Sequence, residues 1–177
     1  DNVASVSGNT VTIHGVGSVT ITASQAGNGT YNPAPNVDQS FEVLPKNLTV
    51  NGLVAEDKDY DGTDVATLDF SGASLVGVVG GDDVDFSGTA VFDNADAGND
   101  KDVITSLTLS GADAANYTLT QPTLTASIFQ LSQTITFDPL APKTTADVPF
   151  ALTATASSGL TVEYTSSNPL VATVSGN

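Results

Sequence analysis

Short runs of alternating Val, Ile and Thr, broken every few residues by Gly, Asn, Asp or Pro, recur from one end of this chain to the other. A period of two sends successive side chains to opposite faces, which suits a half-buried strand and denies a helix its apolar stripe. Thr10-Val11-Thr12-Ile13-His14 and Ser18-Val19-Thr20-Ile21-Thr22 show it cleanly. His14-Gly15-Val16-Gly17 between them is predicted to turn the chain and join the two runs as a hairpin. Further strands are predicted at residues 40–44, 48–54, 89–92, 104–109, 117–120, 124–128, 134–137, 150–156, 161–165 and 171–174. No window carries a sustained 3.6-residue apolar period, and the one short helix expected lies around residues 111–116, where alanines gather. The fold class is therefore all-β.

A self-match sets the organisation. Val6-Ser7-Gly8-Asn9 returns as Val174-Ser175-Gly176-Asn177, 168 positions later. The flanks agree as well, Asp1-Asn2-Val3-Ala4-Ser5 against Asn168-Pro169-Leu170-Val171-Ala172-Thr173. This reads as one period of a tandem array with a short overlap. Joining the last segment to the first gives about seven strands in roughly 80 residues, the size of a β-sandwich. The expected organisation is then three segments: residues 1–45 as the second half of one sandwich, 46–130 as a complete middle module, and 131–177 as the first half of the next sandwich. With Asp rather than Met at position 1, the sequence is read as a piece of a longer chain whose export and anchoring signals lie elsewhere.

Composition narrows the function. The 177 residues carry 20 acids against 4 bases, a net charge of −16. Such a field repels phosphate backbones and anionic lipid, so neither nucleic acid nor membrane insertion is expected. At 40% hydrophobic the chain can build cores. Cysteine is absent, so any modules fold without disulfides.

The composite of the two ends resembles a bacterial immunoglobulin-like repeat of the Big type. The resemblance rests on Ile135-Thr136-Phe137, Pro139 and Leu140, then on Tyr164-Thr165-Ser166-Ser167-Asn168 and Val171-Ala172-Thr173-Val174, with Gly17-Ser18-Val19-Thr20-Ile21-Thr22-Ala23 completing the pattern. The order departs from the family's because it is broken across the chain ends. The middle segment resembles the YDG-type (MBG) repeat of large bacterial adhesins. Its residues are Ala55-Glu56-Asp57-Lys58-Asp59-Tyr60-Asp61-Gly62-Thr63, Gly80-Gly81-Asp82-Asp83-Val84, Gly88-Thr89-Ala90 and Leu109-Ser110-Gly111-Ala112-Asp113-Ala114-Ala115-Asn116-Tyr117. Together these resemblances imply tandem small β modules, an Ig-like sandwich beside a YDG-type module that is either sandwich-like or β-grasp-like with one short helix. They imply a secreted or cell-surface building block and bring no catalytic residues.

Asp57, Asp59 and Asp61, followed by Gly62, have the opening spacing of a calcium loop, with alternate carboxylates and then a glycine for the turn. Calcium needs six to eight oxygens, and the position where such a loop supplies its bidentate Glu holds Leu68, with Asp69 one residue late. The competing reading is a structural turn made by the Tyr60-Asp61-Gly62 motif. A second acidic stretch, from Asp93 to Asp102, is read as a solvated loop, as are Asp82, Asp83 and Asp85. His14, the single histidine, ends a strand beside a glycine turn and should face solvent, and the sequence contains no nucleophile elbow. Zinc has no ligand set. Tyr31, Tyr60, Tyr117 and Tyr164 read as packing residues rather than sugar platforms.

No cofactor is required by any of these residues, with calcium the one candidate, and no enzyme is expected. The expected role is a stalk, spacer or fibre repeat of a surface adhesin. A glycan- or host-surface-binding module is the alternative. The expected partners are neighbouring copies of the same repeat. Closing both half-sandwiches within one chain means doubling back past a module about 30 Å long, so the halves are expected to complete each other head to tail between chains.

Overall fold

The computed structural model describes residues 3–175. Among these residues it is all-β, with 45% in strands and no α-helix, and it is built from several small sheets. The chain divides into two compact units, with the boundary between Phe129 and Gln130.

The first unit opens with two hairpins. Strands β1 (Ala4–Ser7) and β2 (Thr10–Ile13) pair antiparallel, Ser7 opposite Thr10. Gly8 bridges them at φ 62°, the first central position of a two-residue hairpin turn, where glycine is favoured. Strands β3 (Gly17–Gln25) and β4 (Ala34–Val43) form the second hairpin. This corrects the expected hairpin between Thr10–Ile13 and the run after Gly17. Each of those strands has a different partner, because Gly8-Asn9 is the tighter turn and Val3, not β3, caps the end of β2. The Val3 carbonyl accepts from His14 N at 2.8 Å and from Gly15 N at 3.2 Å.

Ten further strands follow in this unit. They are β5 (Lys46–Asn51), β6 (Val54–Ala55), β7 (Lys58–Asp59), β8 (Val65–Ala66), β9 (Leu68–Asp69), β10 (Ser74–Val76), β11 (Asp85–Phe92), β12 (Gly98–Ser110), β13 (Tyr117–Leu119) and β14 (Leu124–Phe129). The main sheet, ordered β7-β14-β12-β11-β8, curls into a half-barrel. A three-stranded sheet, β10-β5-β13, and the pair β6-β9 complete the module. The predicted strand at 48–54 is two strands, because Gly52 at φ 74° breaks it. The expected short helix is a single 3₁₀ turn, Ala114–Asn116.

Periodicity and burial agree along β12, where Val103, Thr105 and Leu107 are buried and Ile104, Ser106 and Thr108 are exposed. The core inside the curl consists of Ala55, Ala66, Ala90, Phe92, Val103, Ala126 and Ile128. Four alanines lie around one phenylalanine, which lets the strands close tightly over a single large ring. Gly88 serves the same closeness from within β11, since a Cβ there would lie 2.2 Å from the Ser106 carbonyl oxygen. Where β13 and β14 leave a gap, the Gln121 side-chain amide takes the place of a strand, accepting from Leu107 N at 2.8 Å and donating to Leu107 O at 2.9 Å.

The second unit is sparse. Its only ladder among the described residues pairs β15 (Ile135–Thr136) with β16 (Thr155–Ala156). The expected strands at 161–165 and 171–174 and most of 150–156 are not formed there. Nevertheless the alternation persists: Leu152, Ala154 and Ala156, then Val162, Tyr164 and Ser166, are half-buried while the residues between them are exposed. The Tyr164 hydroxyl accepts from Ala154 N at 2.9 Å, and its ring meets Phe137 edge-on at 5.8 Å. The Gly176 and Asn177 of the self-match, and Asp1 and Asn2, lie outside the described residues.

Candidate functional site

The first acidic loop is organised around a lysine. Lys58 sits on β7, held in parallel register against Ile128 of β14, and this turns its side chain across the following loop. Its Nζ donates to Asp61 Oδ1 at 2.8 Å, the Thr63 carbonyl at 2.8 Å, Thr63 Oγ1 at 3.0 Å and the Val65 carbonyl at 3.0 Å. The ammonium also lies 5.8 Å from the centre of the Phe92 ring. Asp61 Oδ1 accepts further bonds from Thr63 N and Thr63 Oγ1, both at 2.8 Å, and Gly62 follows at φ 80°. The Tyr60-Asp61-Gly62 triplet is thus a turn whose carboxylate ties the loop to an internal cation.

The three sequence candidates for calcium part company here. Asp57 Oδ1 accepts from Ser127 N at 2.6 Å, which ties the loop to β14. Asp59 is exposed at the end of β7, and Asp61 faces Lys58. Among the described residues no group of three or more acidic or histidine side chains is placed to hold a metal ion. The spacing rule misses Lys58 because it occupies an "x" of the Asp-x-Asp-x-Asp pattern. A lysine between alternating aspartates is the signal that could have found it.

The second acidic stretch repeats the device. Lys101 Nζ contacts Asp93 Oδ1 at 2.7 Å and Asn94 Oδ1 at 2.8 Å. Only the first part of that stretch is loop. Gly98 onward belongs to β12, with a bulge before Lys101 and Asp100 at φ 49°. The bulge lets β12 start early, so the expected ten-residue loop is shorter than its composition suggests.

Elsewhere in the module, the Gly-Gly-Asp-Asp stretch meshes with the segment from Leu109 to Tyr117. Asp83 N donates to Asp113 Oδ2 at 2.8 Å, Ala112 N donates to Asp83 Oδ2 at 3.2 Å, and the Tyr117 hydroxyl donates to Asp82 Oδ2 at 2.5 Å. Gly111 at φ 106° leaves room for the Asp83 carbonyl, which a Cβ would approach to 2.3 Å. The Asp82 carboxylate, accepting the phenol proton, pushes the Tyr117 hydroxyl above its ordinary value. Of the four tyrosines, Tyr117 is buried and Tyr164 half-buried, while Tyr31 and Tyr60 are exposed. These two knots, one at Lys58 and one at Asp82–Tyr117, are made by the residues that carry the sequence motifs.

Comparison with known families decides what the module is. The match runs over residues 44–126. Those residues are a YDG domain. Domains of this type are typical of repeats in bacterial surface proteins. Within it the Tyr-Asp-Gly triplet closes the lysine knot, and the Gly-Gly-Asp-Asp stretch interlocks with the segment that ends at Tyr117. No match was found among curated proteins or among solved structures. No helix among the described residues is long and apolar enough to cross a membrane.

His14 is exposed and its Nε2 lies 2.7 Å from Ser5 Oγ, across the β1-β2 hairpin. Two open depressions on the surface are small, about 270 and 240 Å³. The first is lined by Phe70, Ala73, Asp85, Phe86, Ser87 and Gly88. The second lies beside His14, Lys46 and Tyr117.

The lysine knot has a consequence in acid. The hydrogen bond from Lys58 lowers Asp61 from its ordinary 3.8 to about 2, helped by Thr63 N and the Thr63 hydroxyl. Lys101 lowers Asp93 in the same direction, and Ser71 N and Oγ lower Asp69. A carboxylate depressed in the folded state stabilises the fold fully above its unfolded pKa and loses that contribution as pH falls toward the folded value. The melting temperature should therefore be level from neutral pH down to about 5 and fall between about 4 and 2. Thermal melts followed by circular dichroism across that range check it. A flat profile to pH 2 contradicts the knot.

Proposed function

We propose that this chain is a structural repeat of an extracellular bacterial surface adhesin or fibre, a spacer that carries tension and joins its neighbours head to tail by completing split sandwiches, with no catalytic role. The observation that carries the reading is the topology of the YDG domain. Its two parallel ladders, β5 with β13 and β7 with β14, each join an early strand to a late one. Tension on the chain pulls the early strand by its N-terminal end and the late strand by its C-terminal end. In a parallel pair those ends lie at opposite ends of the ladder, so the load arrives as shear and the ladder's hydrogen bonds break together rather than one at a time. The two lysine- and tyrosine-centred knots bind loops that would otherwise lengthen first. The acidic surface suits a solvated exterior and repels anionic membranes.

The flanking segments add to this reading. Val6, Ile13 and Val37 before the YDG domain in sequence, and Leu131, Ile135, Val148 and Val171 after it, are more than half exposed. Isolated exposed apolar residues are ordinary, but a set of them in each flanking segment supports the half-sandwich reading.

Stretching single molecules of tandem copies tests the spacer role. Extension should show discrete unfolding events that lengthen the chain by about 25 nm for each YDG domain, as expected for some 83 residues pulled straight. Smooth extension without such events, like that of an unfolded chain, overturns the role.

A further inference from the structure

We infer that the side chains of Lys101 and Asn94 join in an isopeptide bond, which the chain forms by itself with loss of ammonia and with Asp93 carrying the protons. The groups that such a reaction needs meet at the tip of the β11-β12 hairpin. The nucleophile is Lys101 Nζ, 2.8 Å from Asn94 Oδ1. The electrophile is the Asn94 carboxamide, a neutral acyl group. The proton carrier is Asp93, whose carboxylate spans both partners. Its Oδ1 lies 2.7 Å from Lys101 Nζ, and its Oδ2 accepts from Asn94 Nδ2 at 3.1 Å. Asp96 N completes the set by donating to Asn94 Oδ1 at 3.0 Å, where negative charge gathers when the carbonyl carbon becomes tetrahedral.

The backbone is shaped to hold these groups. The β-bulge between Gly98 and Lys101 re-aims the lysine toward the loop. Within it Asp100 sits at φ 49°, the one positive φ outside glycine among the described residues. The lysine stem lies over Gly98, where a Cβ would touch its Cγ and Cδ at 3.4 Å. Only 10% of the Lys101 side chain is exposed, so the amine is fixed in place, while Asn94 is exposed and ammonia can leave. Fixed geometry of this kind acts as an effective concentration of up to about 10⁵–10⁸ M. The Lys58 knot supplies the contrast. Its lysine faces the Asp61 carboxylate, an anion that an amine does not attack, so that knot stays ionic.

Lys101 Nζ begins as an ammonium with three protons and ends as an amide with one. Its first proton passes to Asp93, and the freed lone pair forms the bond to Asn94 Cγ. The bond from Cγ to Nδ2 then breaks as Asp93 hands that proton to Nδ2, which leaves as ammonia. The second proton follows through the same carboxylate and departs with the ammonia as ammonium. One positive charge stands on each side of the reaction, and no other reactant enters. Once formed, the bond staples the hairpin tip covalently.

The chain has lysines at 46, 58, 101 and 143 and no arginine, so trypsin cuts it in few places. The folded full-length chain is held for several days at mildly alkaline pH, then weighed intact and after digestion. The expected product is lighter by one ammonia and yields residues 59–143 as a single peptide, because an acylated Lys101 no longer directs cleavage. Asp93→Ala should form the bond about a hundredfold more slowly with an unchanged far-UV circular dichroism spectrum. Asn94→Ala should not form it, and the unmodified chain kept in denaturant should retain its full mass. An unchanged mass in the folded chain overturns the inference. So does a loss of ammonia that leaves Lys101 open to trypsin, since that is an asparagine closing on its own backbone. Equal rates with and without the Asp93 carboxylate overturn its part in the reaction.

Discussion

Phe92→Ala should remove a large fraction of the stability of the YDG domain, with a loss of about 3–5 kcal/mol. Phe92 is 1% exposed, and its neighbours in the core include Ala55, Ala66, Ala90 and Ala126. Large-to-small replacements are costly where the surroundings cannot collapse. Alanines have no further atoms to move into the space, and the strands that carry them are fixed by ladders on either side. The large side chains that could shift toward the void are Val103 and Ile128 within the cluster and Leu68 and Leu124 packed against it. Against a typical domain stability of about 5–15 kcal/mol, such a loss removes a large fraction of the total. For a domain of this size it should lower the melting temperature by roughly 15–30 °C. Phe92→Leu, which keeps most of the volume, should cost less than half as much. Denaturant titrations of both variants, followed by far-UV circular dichroism, check the ranking. Equal midpoints for Phe92→Ala and the unmodified chain would mean that the curl of the main sheet does not depend on that ring.

How far this structure is legible in its sequence differs between its parts, for physical reasons. Inside the YDG domain, alternation alone places β11, β12 and β14, because strands with one buried face write their register into the sequence. Partnership is harder. The run at Thr10–Ile13 reads correctly as a strand but points to the wrong neighbour, since a Gly-Asn pair and a Gly-Val-Gly segment both read as turns and local pattern does not say which closes. The segments at 161–165 and 171–174 fail differently. They carry strand composition and, for the first, a half-buried face, but a strand is defined by a ladder, and among the described residues no ladder forms beside them. At the acidic loop the spacing of Asp57, Asp59 and Asp61 is visible while its organiser is not. A spacing rule weighs the carboxylates and passes over the residue between them, and the cation that gathers the loop's oxygens is covalently part of the chain.

Replacing that cation is the second large effect. Lys58→Met keeps the length and the apolar stem, which is mostly covered, since only 19% of the side chain is exposed. It removes the ammonium that four oxygen contacts share. The Thr63 and Val65 carbonyls lose their donor, and Asp61 keeps only the bonds from Thr63. These acceptors lie on exposed residues where water can replace the donor, so the loss is that of a net hydrogen bond, about 1 kcal/mol. Lys58→Arg should recover little of it, because a planar fork does not converge on acceptors gathered around a point charge. The variant also separates the two meanings of the acidic loop. If the lysine is its cation, adding calcium to the unmodified chain leaves the melting temperature in place. Lys58→Met then flattens the fall in stability between pH 4 and 2, because Asp61 loses the hydrogen bond that contributes most to its depression. If the loop is instead a metal site, calcium at a hundredfold its dissociation constant would add about 2.7 kcal/mol to the unmodified chain, and the melt would rise accordingly. The two outcomes are read under different conditions, one in acid without metal and the other at neutral pH with it, so neither can be mistaken for the other.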